Sequence, residues 1–427
     1  MMPRVNMAVA LTRVSGTSLL RYSRWALAIT AGCLPLYVVR YQVGPFPTTV
    51  LENLVLLTIA LYVVGRIQAG AWVWPRSGLE IPTAALLVAG AIAIFVAPDH
   101  RGAVGIYRAY FVEPVILFYI AIDLLRTPHD FRVVLLGLAL GSTIFAVLNY
   151  GAWVIALMNH TVAIANAPEA LYTSPNQVAL YFEPPLAIAA GFALYANDQR
   201  DRRIALVVLA MLMVALILTL SRGALLTLAA LAAVAVVSMP QRRLKLALLG
   251  GALIGGLIVS RIPPVAQRLA NQFDPSYRFN TFEGRVQIWS DTLNMLRDHP
   301  IFGAGLRAYT QVMAPYVTHG RTPELYPHNI YLAMWSELGL LGLAGFLILM
   351  ALLLWQGWRA FARATGFHRA LLWGTAASFV TVAVHGLVDT PIYKNDLATL
   401  FWIVAALQVA AIAALAAPAT RNRAVER

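Results

Sequence analysis

The chain has 427 residues, of which 60% are hydrophobic and only 12% are charged, and its mean hydropathy is +0.70. These values exclude an ordinary soluble domain and indicate a polytopic membrane protein with a single membrane-embedded domain, 1–427. A net charge of +13 would suggest nucleic-acid binding in a soluble protein, but here it follows from membrane topology, so no nucleic-acid partner is predicted.

Apolar runs of roughly 17 to 25 residues predict an all-α bundle of about twelve transmembrane spans. The predicted spans are 25–40, 48–65, 81–97, 105–125, 133–157, 177–196, 204–220, 223–239, 246–261, 328–355, 370–389 and 396–416. The seventh and eighth are divided only by the short polar turn Ser221-Arg222-Gly223. Residues 262–327, between the ninth and tenth spans, are predicted to form a large periplasmic loop that contains helices.

Arginine clusters on alternate connections predict that both termini are cytoplasmic, because cytoplasmic loops are enriched in Lys and Arg. If the chain did not break at Arg222, spans 204–220 and 223–239 would be one, and the cluster at Arg242 and Arg243 would lie outside. The arginine distribution therefore favours twelve spans. Cations that remain on the outer side against this trend are candidates for binding an anionic ligand. They are Arg40, Arg101, Arg108, Arg222, Arg261, Arg268, Arg278, Arg285, Arg297, Arg307, Arg321 and Lys394.

Apolar residues in the second half of the 262–327 loop recur at helical spacing, which predicts a helix over 281–298. The apolar stripe that should face the bundle consists of Val286, Trp289, Leu293 and Leu296. Pro300 and the glycines that follow it end the helix. We expect this loop to cover a pocket at the membrane surface as a lid.

Arg222 lies in a polar turn between two spans that are otherwise without charge. An arginine at membrane depth costs about 2.5 to 3.5 kcal/mol, so an anionic partner is expected. Its planar guanidinium donates two parallel hydrogen bonds and suits phosphate. The alternative is that Arg222 extends to the outer headgroups from a helix end.

Arg285 lies in the first turn of the predicted loop helix, where unpaired N–H groups already favour an anion. It could equally be a solvated residue that pairs with Glu283 or Asp291.

His328 begins a span at the end of the arginine-rich loop, and histidine can accept a proton near neutral pH. The alternative for His328 is an ordinary interfacial residue at a helix start.

Seven short segments occur in an order and spacing that resemble the O-antigen ligase and polymerase superfamily of bacterial inner-membrane glycosyltransferases, and more specifically the O-antigen ligases. They are SPNQ (174–177), LSRGA (220–224), GRVQIW (284–289), HPIFGAG (299–305), HNIYL (328–332), ELGLLG (337–342) and HGLVD (385–389). Together they extend over most of the chain.

The resemblance implies a GT-C-like fold and transfer of a glycan from undecaprenyl pyrophosphate to a sugar hydroxyl of lipid A–core in lipopolysaccharide biosynthesis. The family's two pyrophosphate-binding arginines fall on Arg222 and Arg285, and its proposed catalytic histidine falls on His328. The active site should then lie on the periplasmic side of the inner membrane. We expect an inverting, metal-independent displacement with no cofactor, since two fixed cations can replace a divalent metal.

Four further residues are possible supporting members of the site. Asp389 could orient the base, pair with an outer arginine, or simply be a helix-end carboxylate. Asn176 could contact sugar hydroxyls, Asn329 adjoins His328, and Arg108 is one of the outer cations. No histidine shows metal-ligand spacing with acidic partners, so no metal site is predicted.

Two other functions remain open at this point. An O-antigen polymerase would use the same lipid-linked donor with a different acceptor. A lipid or polysaccharide transporter would need ionisable residues along a path through the bundle. The intramembrane charges gather on the outer side and leave the inner half almost without them, which favours surface chemistry. Apart from its substrates, the expected partners are membrane lipids.

Overall fold

The computed structural model describes residues 18–416, except for 45, 73, 162–166, 319–321 and most of 240–280. Within that last stretch, it describes 241, 245–246, 250–251, 256–257 and 260–261. Most of the predicted ninth span and the first part of the 262–327 loop therefore lie outside the described residues, together with Arg268, Arg278 and Arg321.

The described chain is built almost entirely of helices. In chain order they are α1 (Ser18–Gly32), α2 (Val50–Gln68), α3 (Glu80–Val96), α4 (His100–Tyr107), α5 (Glu113–Leu124), α6 (Pro128–Met158), α7 (Pro175–Tyr195), α8 (Gln199–Leu218), α9 (Arg222–Ser238), α10 (Thr281–Asp298), α11 (Tyr309–Met313), α12 (Ile330–Phe361), α13 (Gly366–His385) and α14 (Asn395–Ala416). Two short 3-10 helices occur at Leu34–Val38 and Ala314–Tyr316, and a π-helical segment, Arg108–Val112, joins α4 to α5. Strands β1 (Arg40–Val43) and β2 (Phe46–Thr49) form an antiparallel hairpin in which Arg40 faces Thr49.

Seven helical stretches among the described residues are long and apolar enough to cross a membrane. They are α2, His100–Leu124, α6, α7, α12, α13 and α14, and the shorter α3 and α9 are also apolar. The protein is therefore an all-α polytopic membrane protein, as predicted, whereas the count of twelve crossings and their orientation remain predictions. The predicted first span, 25–40, is wrong in its bounds: α1 ends at Gly32, and the apolar run then continues through Pro35 into the 3-10 helix and hairpin.

The centre of the bundle consists of α5, α7, α13 and α14, which bury most of their residues. Small residues let α7 and α13 approach closely. A Cβ atom on Gly191 would lie 2.5 Å from the carbonyl oxygen of Ala370, and one on Gly374 would lie 2.6 Å from the Cα of Ile188. This core fixes the start of α7, the end of α13 and the loop from α13 to α14.

Helices α1 and α6 also cross through small residues, with Gly137 and Gly141 of α6 against Ala28 and Gly32 of α1. A Cβ atom on Gly137 would lie 2.2 Å from the Ala28 carbonyl oxygen, and one on Gly141 would lie 1.9 Å from that of Gly32. Glycines four residues apart favour such backbone contact between membrane helices, where there is no hydrophobic driving force for association.

Buried ion pairs occur at helix ends that the predicted topology places on the cytoplasmic side. Asp123 pairs with Arg66 and accepts a 2.8 Å hydrogen bond from the hydroxyl of Tyr62. Asp130 pairs with Arg24 at 2.5 Å. With the predicted orientation, these pairs do not agree with the expectation that the inner half carries almost no buried charge. These charges neutralise one another between helices, as buried membrane charges generally do.

Helix α12 is interrupted at Gly339, whose φ of +70° lies outside the helical range. The break is filled by the loop that follows α10: Leu340 N–H donates to Ile301 O at 2.9 Å, and Ala304 N–H donates to Ser336 O at 2.6 Å. Only glycine fits at 339, since a Cβ atom there would lie 2.3 Å from Ile301 O. The loop is thus hydrogen-bonded into the side of a membrane helix.

We expect Gly141→Ala to lower the free energy of unfolding in detergent by about 1 to 3 kcal/mol, because the added methyl group must push α6 away from α1. Gly151→Ala is the matched control in the same helix, because its Cβ would meet no atom within 4 Å. Thermal unfolding of both variants checks this, and equal melting temperatures would contradict the proposed close packing.

Candidate functional site

Helix α10 extends over Thr281–Asp298, the range predicted from the sequence. Its predicted inner face is partly wrong, because Val286 is 44% exposed and Leu293 is 42% exposed. The residues that the helix buries are Ile288, Asp291, Thr292, Met295 and Leu296. The prediction used apolar residues alone and therefore chose a neighbouring face of the helix. Two of the residues that are actually buried, Asp291 and Thr292, are polar and have partners in the adjoining loop.

Several hydrogen bonds hold α10 in place. Thr292 shares one with the hydroxyl of Tyr309 at 2.7 Å, and Asp291 accepts one from the hydroxyl of Thr318 at 2.9 Å. The indole N–H of Trp289 donates to the carbonyl oxygen of Pro327 at 3.0 Å. This last bond joins the middle of α10 to the residue before His328, and Arg285 lies one helical turn before Trp289.

The carboxylate of Asp389 lies between Arg285 and His328. Its Oδ1 atom is 3.4 Å from His328 Nδ1, and its Oδ2 atom is 3.8 Å from Arg285 Nη2. The Asp389 side chain is only 5% exposed, so its charge depends on these neighbours. Burial by itself raises the pKa of Asp389, but His328, His385 and Arg285 together hold it below its ordinary value. Asp389 is therefore a carboxylate at neutral pH.

His328 has a φ of +48°, a backbone conformation that is uncommon outside glycine. The next residues hold it there: the Asn329 side chain accepts from Tyr331 N–H and Leu332 N–H, and so caps α12. The same side chain donates to Leu387 O at 3.0 Å, and Ile330 N–H donates to Gly386 O at 2.8 Å. Such local strain is typical of functional sites and persists only where the surroundings enforce it.

Burial lowers the pKa of the Arg285 guanidinium, and Asp389 and Tyr326 oppose this effect. An arginine nevertheless stays protonated in a protein. The ring of Tyr326 lies edge-on to the imidazole of His328, with 4.8 Å between centroids. Burial, and then the charge of Asp389, raise the pKa of Tyr326 to about 12, so its hydroxyl is neutral. Tyr326 thus adds an aromatic wall beside the histidine.

Arg222 is the first residue of α9, which Ser221 caps through a hydrogen bond from Ala224 N–H. Leu220, two residues before Arg222, has a φ of +51°, so the backbone is strained here as it is at His328. Gly223 packs against the imidazole of His385: a Cβ atom there would lie 2.2 Å from His385 Nε2. The start of α9 is therefore fixed against the end of α13, four residues before Asp389.

His385 is itself held by Glu183, whose Oε1 atom lies 2.6 Å from His385 Nδ1. Both side chains are at most 2% exposed. The pair spans 202 residues of sequence, so no local pattern indicated it. A signal was present all the same: Glu183 is a carboxylate in the middle of an apolar span, next to two prolines, and such a residue is a candidate for function by default.

Two of the predicted supporting residues lie apart from these contacts. Arg108 is paired with Glu52 and lies 3.4 Å from Glu113, both of which are buried. Its charge is therefore compensated within the protein. At the start of α7, Gln177, the neighbour of Asn176, lies near the hydroxyl of Tyr326 and lowers the pKa of that group.

The site combines a histidine, a carboxylate beside its Nδ1 atom, and an arginine at the start of a helix. A second arginine, Arg222, begins α9, where the next residue, Gly223, packs against His385. Such a group can bind an anion and accept a proton from a neighbouring hydroxyl. Among the residues that the structure describes, no group of three or more His, Cys, Asp and Glu side chains is arranged to hold a metal ion.

A family model described as O-antigen ligase matches residues 204–347, about one third of the chain. The match includes Arg222, Arg285 and His328, and it confirms the resemblance to the O-antigen ligase superfamily that the sequence motifs indicated. It ends before Asp389, so the carboxylate joins the site from outside the matched region. A comparison with curated proteins finds no match.

We expect Glu183→Ala to lower the free energy of unfolding by about 3 to 5 kcal/mol, because it leaves His385 buried without its partner. Glu183→Gln should cost less, since the amide can still accept a hydrogen bond from a neutral imidazole. Asp99→Asn is the control: it neutralises the exposed Asp99–Arg307 pair, keeps an α4 cap and should cost at most about 1 kcal/mol. Equal melting temperatures for Glu183→Ala and Asp99→Asn would contradict a structural role for the buried pair.

Proposed function

We propose that this chain, which carries an O-antigen ligase family domain over residues 204–347, is the ligase that transfers a glycan from undecaprenyl pyrophosphate to a sugar hydroxyl of lipid A–core. The active site is on the periplasmic side of the inner membrane, and both termini are cytoplasmic. His328 is the general base, and Arg222 and Arg285 bind the pyrophosphate.

The observation that carries this proposal is the position of Asp389 between His328 and Arg285. A carboxylate next to Nδ1 favours the tautomer that has its proton on Nδ1, which leaves the Nε2 lone pair to accept a proton. The 3.4 Å separation is longer than a normal hydrogen bond, and such contacts often shorten when substrate binds. At 3.8 Å, Arg285 is in electrostatic contact with Asp389 without a direct hydrogen bond between these two atoms.

The reaction is a single displacement. The acceptor hydroxyl gives its proton to Nε2 of His328, and its oxygen bonds to the anomeric carbon of the donor sugar. The bond from that carbon to the pyrophosphate oxygen breaks on the opposite face, and its electron pair stays on the pyrophosphate. The configuration at the anomeric carbon is therefore inverted, and the imidazolium later releases its proton to water.

The leaving pyrophosphate gains one negative charge, which the two arginines stabilise. Preorganised charge of this kind is commonly the largest contribution to catalysis. Guanidinium groups suit the role because each donates two parallel hydrogen bonds to phosphate oxygens. Since these cations already compensate the developing charge, we expect transfer to proceed in the presence of a chelator.

Purified protein in lipid vesicles, supplied with undecaprenyl-pyrophosphate glycan and lipid A–core, should produce glycosylated lipid A–core. With His328→Ala and His328→Asn, the rate should fall by about 10²- to 10⁴-fold while donor binding is retained, because general-base catalysis is lost. Asparagine tolerates the left-handed backbone of residue 328, so this variant separates the loss of the base from backbone strain.

His129→Ala is the control for these variants, since this exposed histidine begins α6, away from the described site contacts. Normal turnover by His328→Asn would exclude His328 as the base. Growth of long glycans on the lipid carrier when lipid A–core is omitted would identify a polymerase instead. Movement of the lipid-linked glycan across the vesicle without any transfer would identify a transporter.

We expect Arg222→Lys and Arg285→Lys each to lower kcat/KM for the donor by about 10-fold or more. Lysine keeps the charge but loses the paired hydrogen bonds to phosphate, each worth about 1.5 kcal/mol or more. Arg297→Lys serves as the control in the same helix as Arg285, since Arg297 is exposed and bonds only its neighbour Asn294 among the contacts described. Unchanged kinetics in both site variants would contradict bidentate phosphate binding.

A further inference from the structure

The loop between α13 and α14 carries a cation, Lys394, immediately before α14. Its ammonium group donates to the Tyr37 hydroxyl at 2.5 Å and to Gln177 Oε1 at 2.6 Å. The same group lies 4.8 Å from the ring centroid of Tyr37 and 4.9 Å from that of Tyr172. Both hydrogen-bond partners are neutral, and they use two of the three ammonium donors. The third donor has no hydrogen-bond partner among the described residues.

This arrangement requires several distant segments of the chain to meet. Tyr37 comes from the 3-10 helix after α1, Tyr172 precedes α7, and Gln177 lies in its first turn. The rings of Tyr37 and Tyr172 pack edge to face, with centroids 5.3 Å apart. The hydroxyl of Tyr172 donates to Asp396 Oδ2 at 2.5 Å, which occupies that oxygen and orients the ring. The aromatic walls around the ammonium are thus fixed before any ligand arrives.

The Lys394 group adjoins the proposed active site through Gln177. The side chain of Gln177 bonds with Lys394 and lies close enough to the hydroxyl of Tyr326 to lower the pKa of that group. Tyr326 in turn packs against the imidazole of His328. Neighbouring side chains therefore lead from the base to Lys394, whereas Gly223, the residue after Arg222, packs against His385 at the end of α13.

We propose that Lys394, Tyr37 and Gln177 form a subsite that binds an anionic group, phosphate or carboxylate, on the acceptor glycan. This inference rests on the proposed function. The base must touch the acceptor hydroxyl, so a surface continuous with His328 belongs to the acceptor, while the arginines take the donor's pyrophosphate. Tyrosine rings provide apolar surface for sugar faces, and the amide provides polar contacts that fix orientation.

The electrostatics agree with this assignment. Burial lowers the pKa of Lys394 to about 8, with Arg40 of the hairpin acting in the same direction and the carboxylates of Asp396 and Asp389 opposing it. An anion at the ammonium would relieve both the desolvation and the repulsion from Arg40. Raising the pH above about 8 should remove the charge from Lys394 and weaken acceptor binding. Donor binding, which depends on arginines, should change little.

The test compares steady-state kinetics of Lys394→Gln with those of the unaltered protein in the vesicle assay. Loss of one charge-assisted hydrogen bond should raise the acceptor KM about 10-fold or more, with donor KM and kcat within about twofold. The matched control is Lys245→Gln, which removes the chain's only other lysine. Lys394→Arg restores the charge and should recover part of the acceptor affinity, which shows that the pocket still forms.

Two modified acceptors identify the anion. Lipid A–core treated with phosphatase lacks accessible phosphates, and lipid A–core treated with carbodiimide and an amine lacks carboxylates. The modification that removes the bound group should raise the acceptor KM of the unaltered protein. With that modified acceptor, the unaltered protein and Lys394→Gln should have the same acceptor KM. A Lys394→Gln defect of equal size on all acceptors, or an equal rise in donor KM, would overturn the subsite. Absence of any transfer by the unaltered protein would instead refute the proposed function.

Discussion

The buried carboxylate of Asp389 is the interaction on which the candidate site depends. A nearly buried charge is costly without compensation, and here Arg285 and His328 supply it from different parts of the chain. The three-way contact joins the outer helix α10, the start of α12 and the loop after α13. That loop therefore organises the site: His385 fixes the start of α9 on one side, and Lys394 fixes the aromatic cluster on the other.

Much of the architecture follows from composition and periodicity. Helix α10 was predicted to its end residues because helical spacing began after 280 and Pro300 prevented its continuation. The first span was misplaced because an apolar run was treated as one helix although Pro35 interrupts it. The inner face of α10 was assigned wrongly because Asp291 and Thr292 are buried by hydrogen bonds with loop residues, and polarity alone does not reveal such partners.

The site itself was only partly predictable, and the reason is distance along the chain. Arg222, Arg285 and His328 could be singled out because a charge or a titratable group stood at the edge of an apolar run. Their arrangement in space could not be predicted, because it depends on Asp389 and on the Glu183–His385 pair. The two members of that pair are 202 residues apart in the sequence. Arg108 illustrates the converse: its charge is cancelled by Glu52 and Glu113, which the sequence pattern did not connect with it.

The anchoring of α10 has a consequence for how substrates arrive. This helix is bonded through Trp289 to Pro327, and the loop after it is hydrogen-bonded into the break of α12 at Gly339. A flap hinged on these segments would have to break those bonds and distort the backbone that holds His328. The part of the expected lid that the structure describes, from α10 to Pro327, is better described as a fixed wall. Both proposed substrates keep their lipid tails in the bilayer, so their route to this wall is sideways, within the membrane plane and between helices.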